Sequence, residues 1–272
     1  MLIQRNIEIV KLIKEIKLRI QDAGFAFIDK NWDKKNICSP YTRIYFTYYG
    51  TGYIKQKNNI VKLRPGKVCI IPHSLIYDCE CTVEMKQLFF HVTAEKPNGM
   101  DIFSDFKEIY ELEIQNNDDI KILKAYNDND FNGAIFINQI LLNIMNQCLK
   151  KNNLTPSFFH GYSPKILEVF GFVKTNLSSK LTIDDICKNL FMARSTLTKL
   201  FKKEVGMSLG NYIDELLIQK IQQTLLFSDD SIGKISDYFQ FCDQFYLSRY
   251  FKKRVGETPS MYRKRLKDSN NN

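Results

Sequence analysis

Hydrophobic residues recur along this chain with two periods, and the first is two. From about Phe25 to Ala94 apolar and polar positions alternate, as in strands with one buried face. Strands are expected at Tyr41–Tyr49, Tyr53–Gln56, Ile60–Leu63, Lys67–Ile71, Leu75–Glu80 and Glu84–Thr93. Gly50-Thr-Gly52, Lys57-Asn-Asn59, Arg64-Pro-Gly66 and Pro72-His-Ser74 separate them as turns. Short strands this closely punctuated predict a small antiparallel barrel or jelly roll. Upstream, the uneven stripe Ile3, Ile7, Val10, Ile13 (or Lys14), Lys17 and Ile20 predicts an amphipathic helix over residues 3 to 21, stopped by Gly24; an N-terminal arm packed over the next domain would carry the same stripe. Downstream come a strand at Ile109–Ile114, a short helix at Asp118–Tyr126 and a strong helix over Phe131–Lys151. Ile137, Leu141, Ile144 and Cys148 make an a/d-like seam on that last helix, widened by Ile140, Met145 and Leu149. Such a stripe serves packing on the barrel, dimerisation with a second subunit, or both.

A polar stretch at 153–162, with Pro and Gly, reads as a linker, and beyond it the period becomes 3.6. Ser163-Pro164 starts a helix whose apolar positions are Ile166, Val169, Phe170 and Val173. The chain then repeats itself. Leu197-Thr-Lys-Leu-Phe-Lys-Lys-Glu-Val-Gly-Met-Ser-Leu-Gly-Asn-Tyr212 aligns without a gap, 50 residues on, with Leu247-Ser-Arg-Tyr-Phe-Lys-Lys-Arg-Val-Gly-Glu-Thr-Pro-Ser-Met-Tyr262, and seven of the sixteen positions are identical. Each copy predicts a helix with a buried stripe (Leu197, Leu200, Phe201, Val205; Leu247, Tyr250, Phe251, Val255), a basic outer face and a glycine cap at Gly206 or Gly256. A short amphipathic helix precedes each copy, one from Thr182 with a Thr182/Asp185 capping box, one from Ser231. Two helix-turn-helix motifs are therefore expected, at about 182–204 and 232–254, joined by one long helix over Leu209–Phe227.

Charge strengthens this picture. Of the net +9, residues 164 to 272 contribute +6, so the excess gathers in the duplicated segment, as it does where nucleic acid binds. Seven cysteines form no Cys-x-x-Cys pair; Cys79 and Cys81 are expected on opposite strand faces, and all seven are read as reduced thiols of a cytoplasmic protein without metal. The first residues are too often charged for a signal peptide, and no run approaches the length of a membrane span. Three histidines in no His-x-His arrangement, with no phosphate loop and no nucleophile elbow, leave no catalytic site and no cofactor; a metal-free barrel enzyme is the less favoured alternative. Alternation instead puts Arg43, Tyr45, Thr47 and Tyr49 on one strand face, and Gln87, Phe89 and His91 on one face of another. Turned inward, Arg43, Tyr45, Tyr49 and His91 would suit a sugar-like effector; turned outward, they would be ordinary surface residues.

The duplicated segment resembles the AraC/XylS family of transcription regulators, most specifically along Ile232-Gly-Lys-Ile-Ser-Asp-Tyr-Phe-Gln-Phe-Cys-Asp-Gln-Phe-Tyr-Leu-Ser-Arg-Tyr-Phe-Lys-Lys-Arg-Val-Gly-Glu-Thr-Pro-Ser-Met-Tyr-Arg263. It departs at Gln240, where the family usually has Gly, and at Ala193 and Cys242, where Ser often caps the recognition helix. Gly50-Thr-Gly-Tyr-Ile and Leu63-Arg-Pro-Gly-Lys-Val-Cys-Ile-Ile-Pro72 look like the cupin-type sensor domain of its sugar-responsive members. The resemblance implies an α+β multidomain protein: a cupin-like antiparallel β-barrel with dimerisation helices (1–152), a linker (153–162) and an all-α DNA-binding domain (163–272). It implies a homodimeric activator that binds double-stranded DNA and engages RNA polymerase, with a sensor for a sugar-like molecule, or alternatively a fatty acid or a protein. Ser195, Thr196, Thr198, Lys199 and Lys202 in the first head, and Gln244, Phe245, Ser248, Arg249 and Lys252 in the second, occupy the positions that would meet DNA.

Overall fold

The computed structural model describes residues 17–57, 59–73, 75–152 and 162–270. Most of the expected N-terminal helix and of the linker lies outside them. The chain forms two compact units: Met1–Lys96 with Asp101–His160, and Pro97–Met100 with Gly161–Asn272.

The first unit is built on a seven-stranded antiparallel sheet of β1 (Lys17–Asp29), β2 (Lys34–Ile37), β3 (Thr42–Gln56), β4 (Asn59–Leu63), β5 (Lys67–Ile71), β6 (Tyr77–Glu95) and β7 (Tyr110–Glu113). The main path runs β1-β6-β3-β5-β7, with β2 added to β6 and β4 to β3. Residues 17–21 are thus strand, not the end of a helix, and Gly24 pairs with Phe89 instead of stopping the element. Strand β1 finds its backbone partners along β6, from Lys17↔Glu95 to Asp29↔Glu84. The expected turn at Gly50–Gly52 and the expected break between Glu80 and Glu84 are also strand. Register shifts at Thr47/Tyr49 and Gly50/Gly52 mark bulges that bend long strands without ending them. Gly50 is needed there: φ is +74°, and a Cβ would lie 1.9 Å from Glu84 O. A straight strand of β6's 19 residues would span about 60 Å, far too long for so small a unit without bending.

One sheet face, with Ile44, Phe46, Val68, Ile70, Leu88, Phe90 and Val92, is covered by α1 (Asp118–Asp128) and α2 (Phe131–Lys151). Asp130 caps α2 by accepting from Gly133 N at 2.7 Å, and Gly133 lets α1 come close, since a Cβ there would sit 2.4 Å from Ala125 O. Ile137, Leu141, Ile144 and Cys148 are buried in this core. The seam expected to face a second subunit therefore faces its own sheet; the apolar residues α2 leaves exposed are Phe131, Ile135 and Leu142. The other sheet face encloses Tyr45, Ile54, Cys69, Ile71, Tyr77 and Met85. Cys79 and Cys81 both lie in this second core, because residues two apart on a strand share a face; the expectation of opposite faces is corrected.

The second unit is helical: α3 (Pro164–Asn176), α4 (Ile183–Leu190), α5 (Arg194–Val205), α6 (Leu209–Phe227), α7 (Ile232–Tyr238), α8 (Gln244–Val255) and α9 (Pro259–Asn270). Helices α3, α4 and α5 close one core on the first half of α6 through Leu209, Tyr212, Ile213 and Leu216. Helices α7, α8 and α9 close another on its second half through Leu217, Ile221 and Leu225. The repeated stripe is central to both, with Leu197, Phe201, Leu247 and Phe251 fully buried. Among the described residues no helix is long and apolar enough to cross a membrane.

Candidate nucleic-acid interface

Local sequence chemistry sets the helix ends of each reading head. Thr182 and Asp185 form the capping box of α4, Ser231 accepts from Lys234 N to cap α7, and Gly206 and Gly256 close α5 and α8 at φ +83° and +93°. The two turns differ. In the first head Phe191 takes the left-handed conformation (φ +51°) and two residues follow before α5; in the second Gln240 takes it (φ +58°) and three follow before α8. The repeat offset is therefore 49 residues ahead of the turn and 50 behind it. The caps differ too. Ala193 offers α5 no side-chain bond, while α8 is capped by Asp243, not by Cys242, with Tyr246 N donating to it at 2.6 Å. That backbone N–H is the main reason the Asp243 carboxyl sits below its ordinary pKa, so it stays charged at the helix N-terminus.

Every residue expected to meet DNA lies away from the buried stripe of α5 or α8. Ser195, Thr196, Lys199 and Lys202 are exposed and Thr198 is half-buried; Gln244, Phe245, Arg249 and Lys252 are exposed and Ser248 is half-buried. The Thr198 hydroxyl donates to Arg194 O at 2.8 Å and that of Ser248 to Gln244 O at 2.8 Å. Both hydroxyls keep acceptor capacity toward solvent. Sequence reasoning did not single out the groups that hold each recognition helix. Glu204 accepts from Ser163 N at 2.8 Å, at the start of α3. In the equivalent place Arg254 bonds Asp214 of α6 at 2.5 Å and stacks 3.7 Å over Tyr250, whose hydroxyl donates to the other Asp214 oxygen at 2.9 Å. The one reversal of charge in the repeated basic helix, Glu204 against Arg254, was the available signal.

A second cluster lies in the first unit. Arg43 is 6% exposed, and its guanidinium donates to Ser39 Oγ (3.0 and 3.2 Å), Tyr45 Oη (3.1 Å) and Tyr41 Oη (3.1 Å). Burial pushes the phenol of Tyr45, and that of Tyr77 nearby, up, and among the described residues no carboxylate forms an ion pair with Arg43. His91, opposite Arg43 in the β3–β6 register, stacks on Tyr41 at 4.4 Å, and its Nδ1 lies 3.3 Å from Asp22 Oδ2. Tyr77 Oη and Gln87 Oε1 are buried without a hydrogen-bond partner. Arg43, Tyr45 and His91 are thus brought together, turned inward. Tyr49 is not: the bulge after Thr47 turns it out to 52% exposure, under Lys86. Among the described residues no group of three or more His, Cys, Asp or Glu could hold a metal ion.

Residues 186–265 match the family model described as a helix-turn-helix domain. The chain is 31% identical to the Msm operon regulatory protein of Streptococcus mutans over 38% of its own length and 37% of that protein's. It is 32% identical to the HTH-type transcriptional activator AarP of Providencia stuartii, over 36% of its own length and 73% of AarP's. The chain thus spans little more than a third of the length of the first curated relatives it matches. Its fold is similar to that of ToxT from Vibrio cholerae, at TM-score 0.51 and 14% identity over 92% of this chain and 98% of that one. Another ToxT structure, at TM-score 0.50 and 15% identity over 92% and 93%, carries an unsaturated fatty acid.

Proposed function

This chain belongs to the AraC family of transcription regulators, and from that premise we propose that it is a sequence-specific DNA-binding regulator whose single subunit grips two successive major grooves. The observation that carries the reading is the shared helix. Helix α6 takes part in both cores, so two copies of one recognition helix are fixed to a single rod of about 28 Å. Two copies of one helix held along one rod are what reading two successive major grooves, roughly 34 Å apart, requires. Ser195, Thr196, Thr198, Lys199, Gln244, Phe245, Ser248 and Arg249 would meet bases, and Lys202 and Lys252 phosphates. Footprinting with the full chain should show two protected segments about 10 base pairs apart. One protected segment of four or five base pairs would overturn the proposal.

A second reading, that the first unit senses a small molecule, is favoured by the buried Arg43 cluster. A buried guanidinium facing only neutral hydroxyls, with Tyr77 Oη and Gln87 Oε1 unpaired, is costly unless something else completes it. The positive charge favours an anionic headgroup over a neutral sugar, as with the fatty acid that ToxT binds. A homodimer would use the exposed Phe131, Ile135 and Leu142 of α2, and activation in the cytoplasm would bring RNA polymerase as a partner.

A further inference from the structure

Positions 195 and 245 are equivalent under the 50-residue offset, each the second residue of its recognition helix and each exposed. The first head places a hydroxyl there and the second a benzyl ring. Phe245 is 67% exposed and makes no ring contact among the described residues, whereas its neighbour Tyr246 packs on Phe241 at 5.9 Å and has Arg249 over its face at 5.9 Å. Folding therefore leaves the apolar surface of Phe245 unused. Around it, Gln244, Ser248 and Arg249 offer hydrogen bonds suited to base edges. In a major groove those edges present donors, acceptors and one apolar group, the C5 methyl of thymine. A phosphate or any other base edge would be stripped of water against the ring without compensation.

We propose that Phe245 is a specificity-determining residue that packs on the methyl group of a thymine, so that the second head demands T at one position where the first head makes no such demand. This rests on the reading of the second unit as a pair of DNA-reading heads. The full chain would be used to enrich sequences from a random duplex pool, and each thymine of an enriched site replaced in turn by deoxyuridine. Deoxyuridine keeps every hydrogen-bonding group and lacks only the methyl. One such replacement in the second half-site should weaken binding about four-fold, the worth of one buried methyl-sized group. Phe245→Ala should bind the thymine and deoxyuridine duplexes equally, and Phe245→Leu should restore part of the preference. Folding of both variants is checked by thermal unfolding, which a residue that packs on nothing should not alter. If Phe245→Ala still prefers thymine as the parent does, the assignment is overturned. If it binds the enriched site with unchanged affinity, the ring touches no base and the assignment is equally overturned. Enrichment of no sequence at all would overturn the DNA reading itself, and this inference with it.

Discussion

His91 gives the first unit a pH dependence that follows from its surroundings. The ring is 4% exposed, between Tyr41 at 4.4 Å and Phe89 at 4.9 Å. Burial holds its pKa down to about 4, with Arg43 pushing the same way and Asp22 opposing, against an ordinary value of 6.5. The unfolded chain accepts a proton near pH 6.5 that the folded unit refuses until about pH 4. The stability this group supplies is therefore fully present above pH 6.5 and is lost as the pH falls through that window. Linkage puts the loss between pH 7.5 and 5 at about 2 kcal/mol. In a unit of this size that lowers the melting temperature by about 4–8 °C. Trp32, the single tryptophan, packs partly buried against the core that holds Tyr45, so its fluorescence reports this unit. Melts of the full chain at pH 7.5 and 5 should show a drop several degrees larger for the parent than for His91→Gln. The Asp22 carboxyl, held below its ordinary value chiefly by His91 beside it, gives up its contribution only at lower pH. His73, also lowered by burial, is present in both proteins and cancels. Equal drops in the two proteins would refute the reasoning.

Three further outcomes are expected. A monocarboxylate that binds the first unit, added at about a hundred times its dissociation constant, should add roughly 2.7 kcal/mol to the Trp32 melt of the parent and nothing to Arg43→Met; stabilisation of both proteins alike would place the ligand elsewhere. Leu141→Lys puts an unpaired charge at a fully buried site and should cost several kcal/mol, removing the cooperative Trp32 melt. Ile135→Lys, on the exposed side of α2, should leave that melt intact and lower the dimer fraction in sedimentation; the opposite pattern would return the subunit contact to Leu141.

Elements whose stabilising partners lie nearby in sequence were readable from it. The capping box at Thr182, the glycine caps and the Phe131–Lys151 helix each depend on groups within one or two turns. Strand β1 depends on β6, more than fifty residues away, and its half-exposed edge carries too weak an alternation to outweigh the helical stripe before it. Gly50-Thr-Gly52 looks like a turn because the same backbone freedom serves turns and bulges; only the partner strand decides between them. That bulge also explains why Tyr49 left the cluster while Tyr41, two residues before Arg43 and on the same face, entered it. On α2 the seam was legible but its partner was not, since a sheet and a second helix ask for the same apolar stripe. In the two repeated helix pairs the outward residues were legible because the buried stripe, present twice, fixed which side faced the core.

The struts behind the two repeated helices make the two halves depend on each other unequally. Glu204 leans on the start of α3, and Arg254 leans on Asp214 in the first half of α6, between Ile213 and Leu216 of the first core. The first copy is thus braced within its own half, whereas the second reaches to the stretch of α6 on which the first half also packs. A change that displaces the first half of α6 would therefore be felt at both helices, while one that breaks the Glu204 contact would be felt at the first alone. The opposite charges at 204 and 254 are where the two copies cease to be interchangeable, because each braces its helix against a different neighbour.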